Sequence, residues 1–350
     1  MTVDIEIRRE KILRILVNNY ITTGVPVSSR TICSQHSISL CPASVRNVMA
    51  DLEERGLITH LHTSAGRVPT DKGYRYYVDK LVGEMGLTRQ EQLDISKELF
   101  SKQLILEDII RKTSRILSDF THYASIVTNP AVRKSYFKHI QFVHLADKKV
   151  FVTLIANTGI SKSAVVTLDF KIDAEGLKRI ENLMNTHLEN VPLSQIKTKL
   201  RRMMIQEKNS LFYVLKQALE FLDLIALIED KTNLYFEGLS NMLSFPEFED
   251  LKIMRSFMRD LDKKGVLMEL IQELLEEETD MGKVKIFIGS ENPQSTMNPC
   301  SVILGCYKID NHTIGGLGVI GPKRMQYGKT IATVKYVADI LGEILTGLTS

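Results

Sequence analysis

The 350-residue sequence predicts an α+β protein with more than one domain. Apolar residues recur at helical spacing in the N-terminal part and again in the middle of the chain. Two separate regions, residues 139–169 and 283–320, are instead rich in the β-branched and aromatic residues that favour strands. The length also allows two or three domains of ordinary size. This order of helices and strands therefore predicts several packed units.

The first forty residues have the order of two helices joined by a turn. An amphipathic helix is predicted over residues 4–20, and the segment Thr23-Gly24-Val25-Pro26 ends it. Ser28 and Ser29 offer hydroxyl groups that can cap a short second helix. Residues 37–40 make the turn into a third helix.

That third helix has one apolar face and one polar face. Pro42 suits its first position, where a backbone N–H would have no partner, and Gly56 suits its end. The apolar face consists of Val45, Val48, Met49 and Leu52. The opposite face carries Ser44, Arg46 and Asn47 near the helix start. Arginine pairs with guanine and asparagine with adenine in the major groove, so this face is a candidate for reading DNA bases.

A hairpin and a fourth helix follow the third helix. Residues 57–61 and 67–69 are predicted strands around a Thr-Ser-Ala-Gly tip, and Thr70 caps the next helix. Three helices and a hairpin in this order indicate a winged helix-turn-helix, although such units also serve as protein-interaction modules. A net charge of +3 does not decide between the two. Arg46 and Asn47, with Ser44, are expected to read bases. The expected phosphate or minor-groove contacts are Arg30, Thr63, Ser64, Arg67, Lys72 and Arg75.

The run HTSAGRVPTDKGYRYYVD at residues 62–79, after PASVRN and LEERGLI, resembles the HrcA family of heat-inducible transcription repressors. The resemblance continues through NLYFEGLSNMLSFPEFED, IFIGSEN and GGLGVIGPKRMQYGKTIATVKYVADIL. It implies a cytoplasmic bacterial repressor of chaperone operons that is released on heat stress. It also implies a homodimer that binds double-stranded DNA at an inverted-repeat operator called CIRCE, with activity supported by the GroEL chaperonin.

Two positions depart from the pattern of that family. Cys41 stands where the family usually has Ser, and Leu61 stands where it usually has Pro. Because a thiol is a weak acceptor, we expect the third helix to be capped less well, by about 1 kcal/mol. Without the proline, we expect the entry to the hairpin tip to be less rigid.

The rest of the chain predicts a body with an insertion. Thr88 and Glu91 form a capping box for a helical region over residues 89–123, broken near Lys102. Its expected buried side is Leu93, Phe100, Leu104, Ile109, Ile110, Ile116, Leu117 and Phe120. With the strands and a closing helix it resembles a GAF-like domain. The expected domains are the winged helix-turn-helix at 1–87, the first GAF-like part at 88–172, a mainly helical dimerisation insertion at 173–282, and the second GAF-like part at 283–350.

The insertion is the predicted dimer interface because its apolar content is large for a piece that stands alone. These residues include Leu211, Phe212, Val214, Leu215, Phe221, Leu222, Leu224 and Ile225. The resemblance agrees, since HrcA proteins are described with a dimerising insertion. Two-fold symmetry in the protein would match two-fold symmetry in the operator.

Other functional classes find little support. Gly316–Gly321 fits a dinucleotide-binding pattern, but the intervening residues favour a strand and Pro322 follows. Lys323 and Arg324 are interpreted as a solvated turn that could meet an anion. The spacing of Cys and His residues matches no common zinc site, so we expect no metal. No Ser/His/Asp or Cys/His arrangement carries a local catalytic signature, so we expect no enzyme, and we expect no cofactor. No apolar run is long enough for a membrane span. The alternative function is a metabolite-gated transcriptional regulator that uses the GAF-like domain as its ligand sensor.

Overall fold

The computed structural model describes residues 2–35, 41–60, 66–83, 86–100, 105–130, 135–157, 159, 161–206, 211–226, 234–262, 265–276, 284–309 and 312–349. It is a mixed α+β structure with antiparallel sheets, which confirms the predicted class. Within these ranges, every helix is too short or too polar to span a lipid bilayer.

The N-terminal unit comprises the described residues from 2 to 83. Its elements are α1 (Thr2–Thr23), α2 (Ser29–Gln35), α3 (Pro42–Glu54), β1 (Ile58–His60), β2 (Arg67–Pro69) and α4 (Asp71–Tyr76), which continues as a π-helical segment (Tyr77–Leu81). The strands β1 and β2 pair antiparallel, with Thr59 opposite Val68. The apolar faces of α1 and α3 pack together around Leu13, Leu16 and Val45. The predicted order of helices and hairpin is therefore present.

Local signals explain where α3 and α4 begin and end. Cys41 precedes α3 without a side-chain capping hydrogen bond, as expected from its thiol. Gly56 has a φ of +72°, and its N–H donates to the Glu53 carbonyl at 2.9 Å. That left-handed conformation is one that glycine adopts without strain. At α4, the Thr70 hydroxyl accepts a hydrogen bond from the Gly73 N–H at 3.0 Å.

In the middle of the chain, the described residues form five α-helices and four strands. They are α5 (Arg89–Leu99), α6 (Leu106–Thr121), β3 (Ala124–Thr128), β4 (Phe137–Ala146), β5 (Lys149–Ala156), β6 (Ser161–Thr167), α7 (Ala174–Leu188), α8 (Ile196–Gln206) and α9 (Leu211–Ala226). Within the helical region expected at 89–123, α5 ends at Leu99 and α6 begins at Leu106. Lys102, near which a break was expected, lies outside the described residues.

The C-terminal part returns to the body of the molecule. Its elements are β7 (Leu234–Glu237), α10 (Leu239–Met242), α11 (Leu251–Asp262), α12 (Gly265–Glu276), β8 (Lys285–Ile288), β9 (Cys300–Ile309), β10 (His312–Pro322) and α13 (Tyr327–Thr349). A five-stranded antiparallel sheet has the order β7-β3-β10-β9-β8. Two clusters of buried apolar residues include side chains of this sheet. One cluster also contains residues of α6, α13 and the N-terminal unit, and the other contains residues of α11 and α12.

The strand pairing divides the chain differently from the predicted domains. Among the described residues, β4, β5 and β6 form a sheet of their own, which packs on α7 and α9. The sequence predicts these strands to lie in the body and the insertion to span residues 173–282. The inserted unit instead occupies the described residues from 135 to 226, and β7 already belongs to the body sheet. Period-two alternation identifies a strand, but it does not show which strand is its neighbour.

Two sequence interpretations concern the packing of the body. The glycines of the run Gly316–Gly321 lie in β10, as predicted. A Cβ on Gly318 would lie 2.2 Å from the Ile303 carbonyl oxygen, so the strands approach too closely there for a side chain. In the expected buried side of residues 89–123, Leu93 and Phe100 are wrong, because these residues are 45% and 58% exposed while Ile95 and Leu99 are buried. Leu104 lies outside the described residues.

Candidate nucleic-acid interface

The helix α3 presents a polar face to solvent. Val45, Met49 and Leu52 are buried against the N-terminal unit. Arg46 and Asn47 lie on the opposite side, and both are exposed. Ser44 is half-buried, with its hydroxyl oxygen 3.3 Å from the Cys41 sulfur. Because the buried face fixes the rotation of the helix, the guanidinium of Arg46 and the amide of Asn47 point away from the unit.

The acidic end of α3 is neutralised by neighbouring cations. Asp51 forms an ion pair with Arg9 of α1 and lies 3.5 Å from the Arg55 guanidinium. Arg9 also pairs with Glu6 at 2.8 Å. These contacts fasten α3 to α1 and reduce the repulsion that free carboxylates would exert on a nearby polyanion.

The second carboxylate of α3 joins the helix to both hairpin strands. One oxygen of Glu53 lies 2.6 Å from His60 Nδ1 in β1, and the other accepts a hydrogen bond from Arg67 Nε in β2 at 2.8 Å. The hydrogen bond with His60, followed by that with Arg67, holds the pKa of the Glu53 carboxyl below its ordinary value. The hairpin and the helix therefore form one connected surface.

The structure places the remaining predicted DNA contacts in different environments. Arg30 and Lys72 are exposed, and the Lys72 ammonium donates to the Arg55 carbonyl at 3.0 Å. Arg67 is held by Glu53 as described. Thr63 and Ser64 lie outside the described residues. Of the predicted contacts that the structure describes, Arg30, Arg46, Asn47 and Lys72 are exposed.

Arg75 lies against the body of the molecule. Its Nε donates to Glu291 at 2.9 Å, another nitrogen donates to the Ile286 carbonyl at 2.6 Å, and Asp79 lies 3.2 Å away. The hydrogen bond to Glu291 is the main reason that the pKa of Arg75 is raised. We predicted a phosphate contact for this residue, but its guanidinium is engaged with acceptors of its own chain. Sequence reasoning could not reveal a partner 216 positions away.

A second ionic contact lies beside the first. Lys323 donates to the Asp71 carboxylate at 2.6 Å, and the Ser290 N–H donates to the same carboxylate at 2.9 Å. Burial raises the pKa of Asp71, but these two donors outweigh it and leave the pKa below its ordinary value. Arg324 pairs with Glu247 and lies 5.5 Å from the Phe245 ring centroid. The interpretation of Lys323 and Arg324 as a solvated turn is therefore wrong.

Aromatic side chains fill the space between these ionic contacts. The ring of Tyr327, at the start of α13, lies 6.0 Å from that of Tyr74 and 6.5 Å from that of Tyr77. Burial raises the pKa values of Tyr74 and Tyr327. The Tyr77 hydroxyl donates to Asn18 of α1 at 2.5 Å. Thus the N-terminal unit is docked on the body through α4, while the face of α3 that carries Arg46 and Asn47 remains exposed.

The residues that dock the N-terminal unit were missed by the sequence analysis. Asp71 stood next to a predicted contact, while Glu291 and Lys323 lie within IFIGSEN and GGLGVIGPKRMQYGKTIATVKYVADIL. Those two stretches contributed to the family resemblance. That resemblance was the signal in the sequence that could have indicated a functional role for Glu291 and Lys323.

Comparisons with known proteins identify relatives of this chain. The sequence model of the HrcA protein C-terminal domain matches residues 107–331. A heat-inducible transcription repressor HrcA from Geobacter sulfurreducens is 38% identical over 98% of this chain and 99% of its own length. Another from Desulfitobacterium hafniense is 34% identical over 97% of each chain. A solved structure described as a hypothetical protein matches with a TM-score of 0.59 at 22% identity, over 98% of this chain and 99% of that one.

The protein is a transcriptional regulator and not an enzyme, as its repressor relatives show. Its exposed arginine and asparagine on a helix beside a hairpin suit that class. More particularly, the chain belongs to the HrcA family of heat-inducible transcription repressors.

Proposed function

We propose that the N-terminal unit is a winged helix-turn-helix that binds the CIRCE inverted repeat in double-stranded DNA. The observation that carries this proposal is the exposed pair Arg46 and Asn47 on α3, whose opposite face is buried. The Arg46 guanidinium and the Asn47 amide read base edges in the major groove, with Ser44 as a supporting contact. Arg30, Thr63, Ser64, Arg67 and Lys72 are proposed to face phosphates or the adjacent minor groove.

The repressor is proposed to act as a homodimer, since an inverted repeat has two-fold symmetry. The inserted unit offers a suitable surface on the outer face of its three-stranded sheet. Val143, Phe151 and Val165 stand opposite one another across the three strands. Val143 and Val165 are 44% and 57% exposed, and Leu145 nearby is 53% exposed. Apolar side chains clustered on an exposed sheet face favour association with another surface.

The biological setting follows from the family resemblance. The repressor is proposed to act in the cytoplasm on chaperone operons and to leave its operator on heat stress. Support by the GroEL chaperonin would couple the amount of active repressor to the folding load of the cell. Marginal stability, which is ordinary for proteins, would suffice for such a response.

The alternative of a metabolite sensor has no comparable support. Helices pack on both faces of the body sheet, through the two clusters described above. Tyr307 in β9 is buried, and its hydroxyl donates to the Thr128 carbonyl at 2.6 Å. The Tyr307 side chain therefore occupies one of the positions where a ligand could contact this sheet.

Replacing Arg46 with Ala tests the assignment of the reading face. The Arg46→Ala variant should lose about 1–3 kcal/mol of binding to the inverted repeat and discriminate less against other sequences. Fluorescence anisotropy of labelled duplexes measures both quantities. Arg115→Ala is the matched control, because Arg115 is an exposed arginine on α6 of the body. Operator binding by Arg46→Ala equal to that of the wild type would contradict the assignment.

A further inference from the structure

The carboxylate of Glu53 occupies a position between the helix α3 and the base of the hairpin. It is the only carboxylate in the described part of α3 that the structure shows in contact with both β1 and β2. Its side chain is 26% exposed, and those of Arg67 and His60 are 29% and 44% exposed. The three groups thus form a partly solvated cluster on the surface that carries the predicted DNA contacts.

The backbone of Arg67 is fixed independently of its side chain. Its N–H donates to the Val27 carbonyl at 2.8 Å, and its carbonyl accepts from the Val27 N–H at 2.9 Å. A Cβ on the preceding Gly66 would lie 2.6 Å from the Val27 carbonyl carbon, so the chains are in close contact there. The base of the hairpin should therefore stay in place when Glu53 is replaced. The Arg67 guanidinium can then bind another partner.

The partner of that guanidinium affects how the protein binds DNA. An arginine at the hairpin would attract phosphates of any sequence, and each such contact makes binding more dependent on salt. An arginine paired with a carboxylate has less charge to offer a phosphate. Specificity is the difference between the affinity for the operator and the affinity for other DNA. When attraction to all DNA is weaker, the base contacts make up a larger share of the binding free energy.

We infer that Glu53 is a specificity-determining positioning residue, which keeps the hairpin side chains of Arg67 and His60 bound to α3 and withholds Arg67 from phosphates. This inference rests on the proposed function, because it concerns how the same surface discriminates between DNA sequences. It also changes the role of Arg67, from a direct phosphate contact to a group whose contact is limited by Glu53.

The test compares two glutamine substitutions in the full-length protein. Glu53→Gln removes the charge that holds Arg67, whereas Glu54→Gln removes the same charge from the exposed neighbouring position. For Glu53→Gln, we expect binding to a scrambled duplex to tighten about threefold or more and the ratio of scrambled to operator Kd to fall. The slope of log K against log salt should steepen by about 0.9, the value for one added phosphate contact. For Glu54→Gln, that ratio should stay at the wild-type value.

Removing the arginine identifies the group that is released. The double variant Glu53→Gln with Arg67→Gln should bind the scrambled duplex no more tightly than the wild type. An unchanged ratio and salt slope in Glu53→Gln would overturn the inference, as would tight scrambled binding that persists in the double variant. If the wild type itself does not prefer the operator, the proposed function fails first. If the wild type does prefer the operator, and Glu53→Gln has the wild-type ratio and salt slope, only this inference fails.

Discussion

Gly73 shows how closely α4 is packed against the chain that leads into the hairpin. A Cβ at this position would lie 1.9 Å from the Leu57 carbonyl oxygen. The neighbouring Thr70 hydroxyl donates to the Gly56 carbonyl at 2.6 Å and also caps α4. A side chain on Gly73 would push α4 away from these partners, and α4 is the helix that docks the N-terminal unit on the body.

Replacing Gly73 with Ala should therefore destabilise the protein. Overpacking typically costs about 1–3 kcal/mol, and here the obstructing atom belongs to the backbone, which moves less easily than a side chain. Thermal unfolding followed by circular dichroism should give a lower Tm. Gly83→Ala is the control, because no atom of the described residues is recorded within 4 Å of a Cβ there. Equal Tm values for the two variants would contradict this account of α4.

Single residues also show what could be predicted from sequence. The effects of Pro42, Gly56 and Thr70 act over a few positions, so helix ends were predictable from them. The exposure of Arg46 and Asn47 followed from the period of the apolar residues on α3. The partner of Arg75 could not be predicted, because the contact depends on how the N-terminal unit lies against the body.

At the scale of elements, α5 is joined to α13 by Glu91, a residue that also caps the start of α5. Glu91 accepts a hydrogen bond from the Thr88 N–H at 2.9 Å and pairs with Lys329 at 2.8 Å. The Lys329 contact and, after it, the Thr88 hydrogen bonds lower the pKa of Glu91 to about 2. The Ser96 and Tyr336 hydroxyl oxygens, 2.8 Å apart, join the same two helices.

Because of the Glu91 contacts, we expect the free energy of unfolding to depend on pH. Because the folded-state pKa lies below the ordinary value of 4.5, the stabilisation is complete above pH 4.5 and is lost as the pH falls toward 2. Glu91→Gln should lower the free energy of unfolding at neutral pH by about 1 kcal/mol or less, since the pair is partly exposed. Unfolding in urea at several pH values should show the difference from the wild type shrinking below pH 4.5. A difference that is constant with pH would contradict this prediction.

The strands were easier to identify than to group. The two regions that contain β4, β5, β9 and β10 were predicted to form strands, because β-branched and aromatic residues mark them. Their division between two sheets was predicted wrongly at the boundary of residues 172 and 173. The return of β7 to the body sheet depends on pairing with β3, which a four-residue strand does not reveal in its own sequence.

At the scale of the whole molecule, the inserted unit and the N-terminal unit have separate roles in the proposed dimer. The inserted unit has its own core, and the N-terminal unit shares a core cluster with the body. A dimer formed through the outer sheet face of the inserted unit would leave α3 accessible on each protomer. The distance between the two copies of α3 would then be set by the body.

Replacing Val165 with Asp should dissociate that dimer. A carboxylate in the row of Val143, Phe151 and Val165 would have to be buried without a partner in the interface, which is costly. Sedimentation-velocity measurements should show a monomer. Ile205→Asp is the matched control, because Ile205 is 78% exposed on α8 of the same unit. A dimer that survives Val165→Asp and dissociates with Ile205→Asp would place the interface elsewhere.

The central claim is that the exposed face of α3 reads an inverted repeat in double-stranded DNA. Its most direct test is the anisotropy of a labelled inverted-repeat duplex and of its scrambled version, each titrated with wild-type protein at about 50 and 200 mM salt. The account predicts tighter binding to the inverted repeat at both salt concentrations and weaker binding to both duplexes at the higher one. Equal affinity for the two duplexes, or affinity that does not depend on salt, would contradict it.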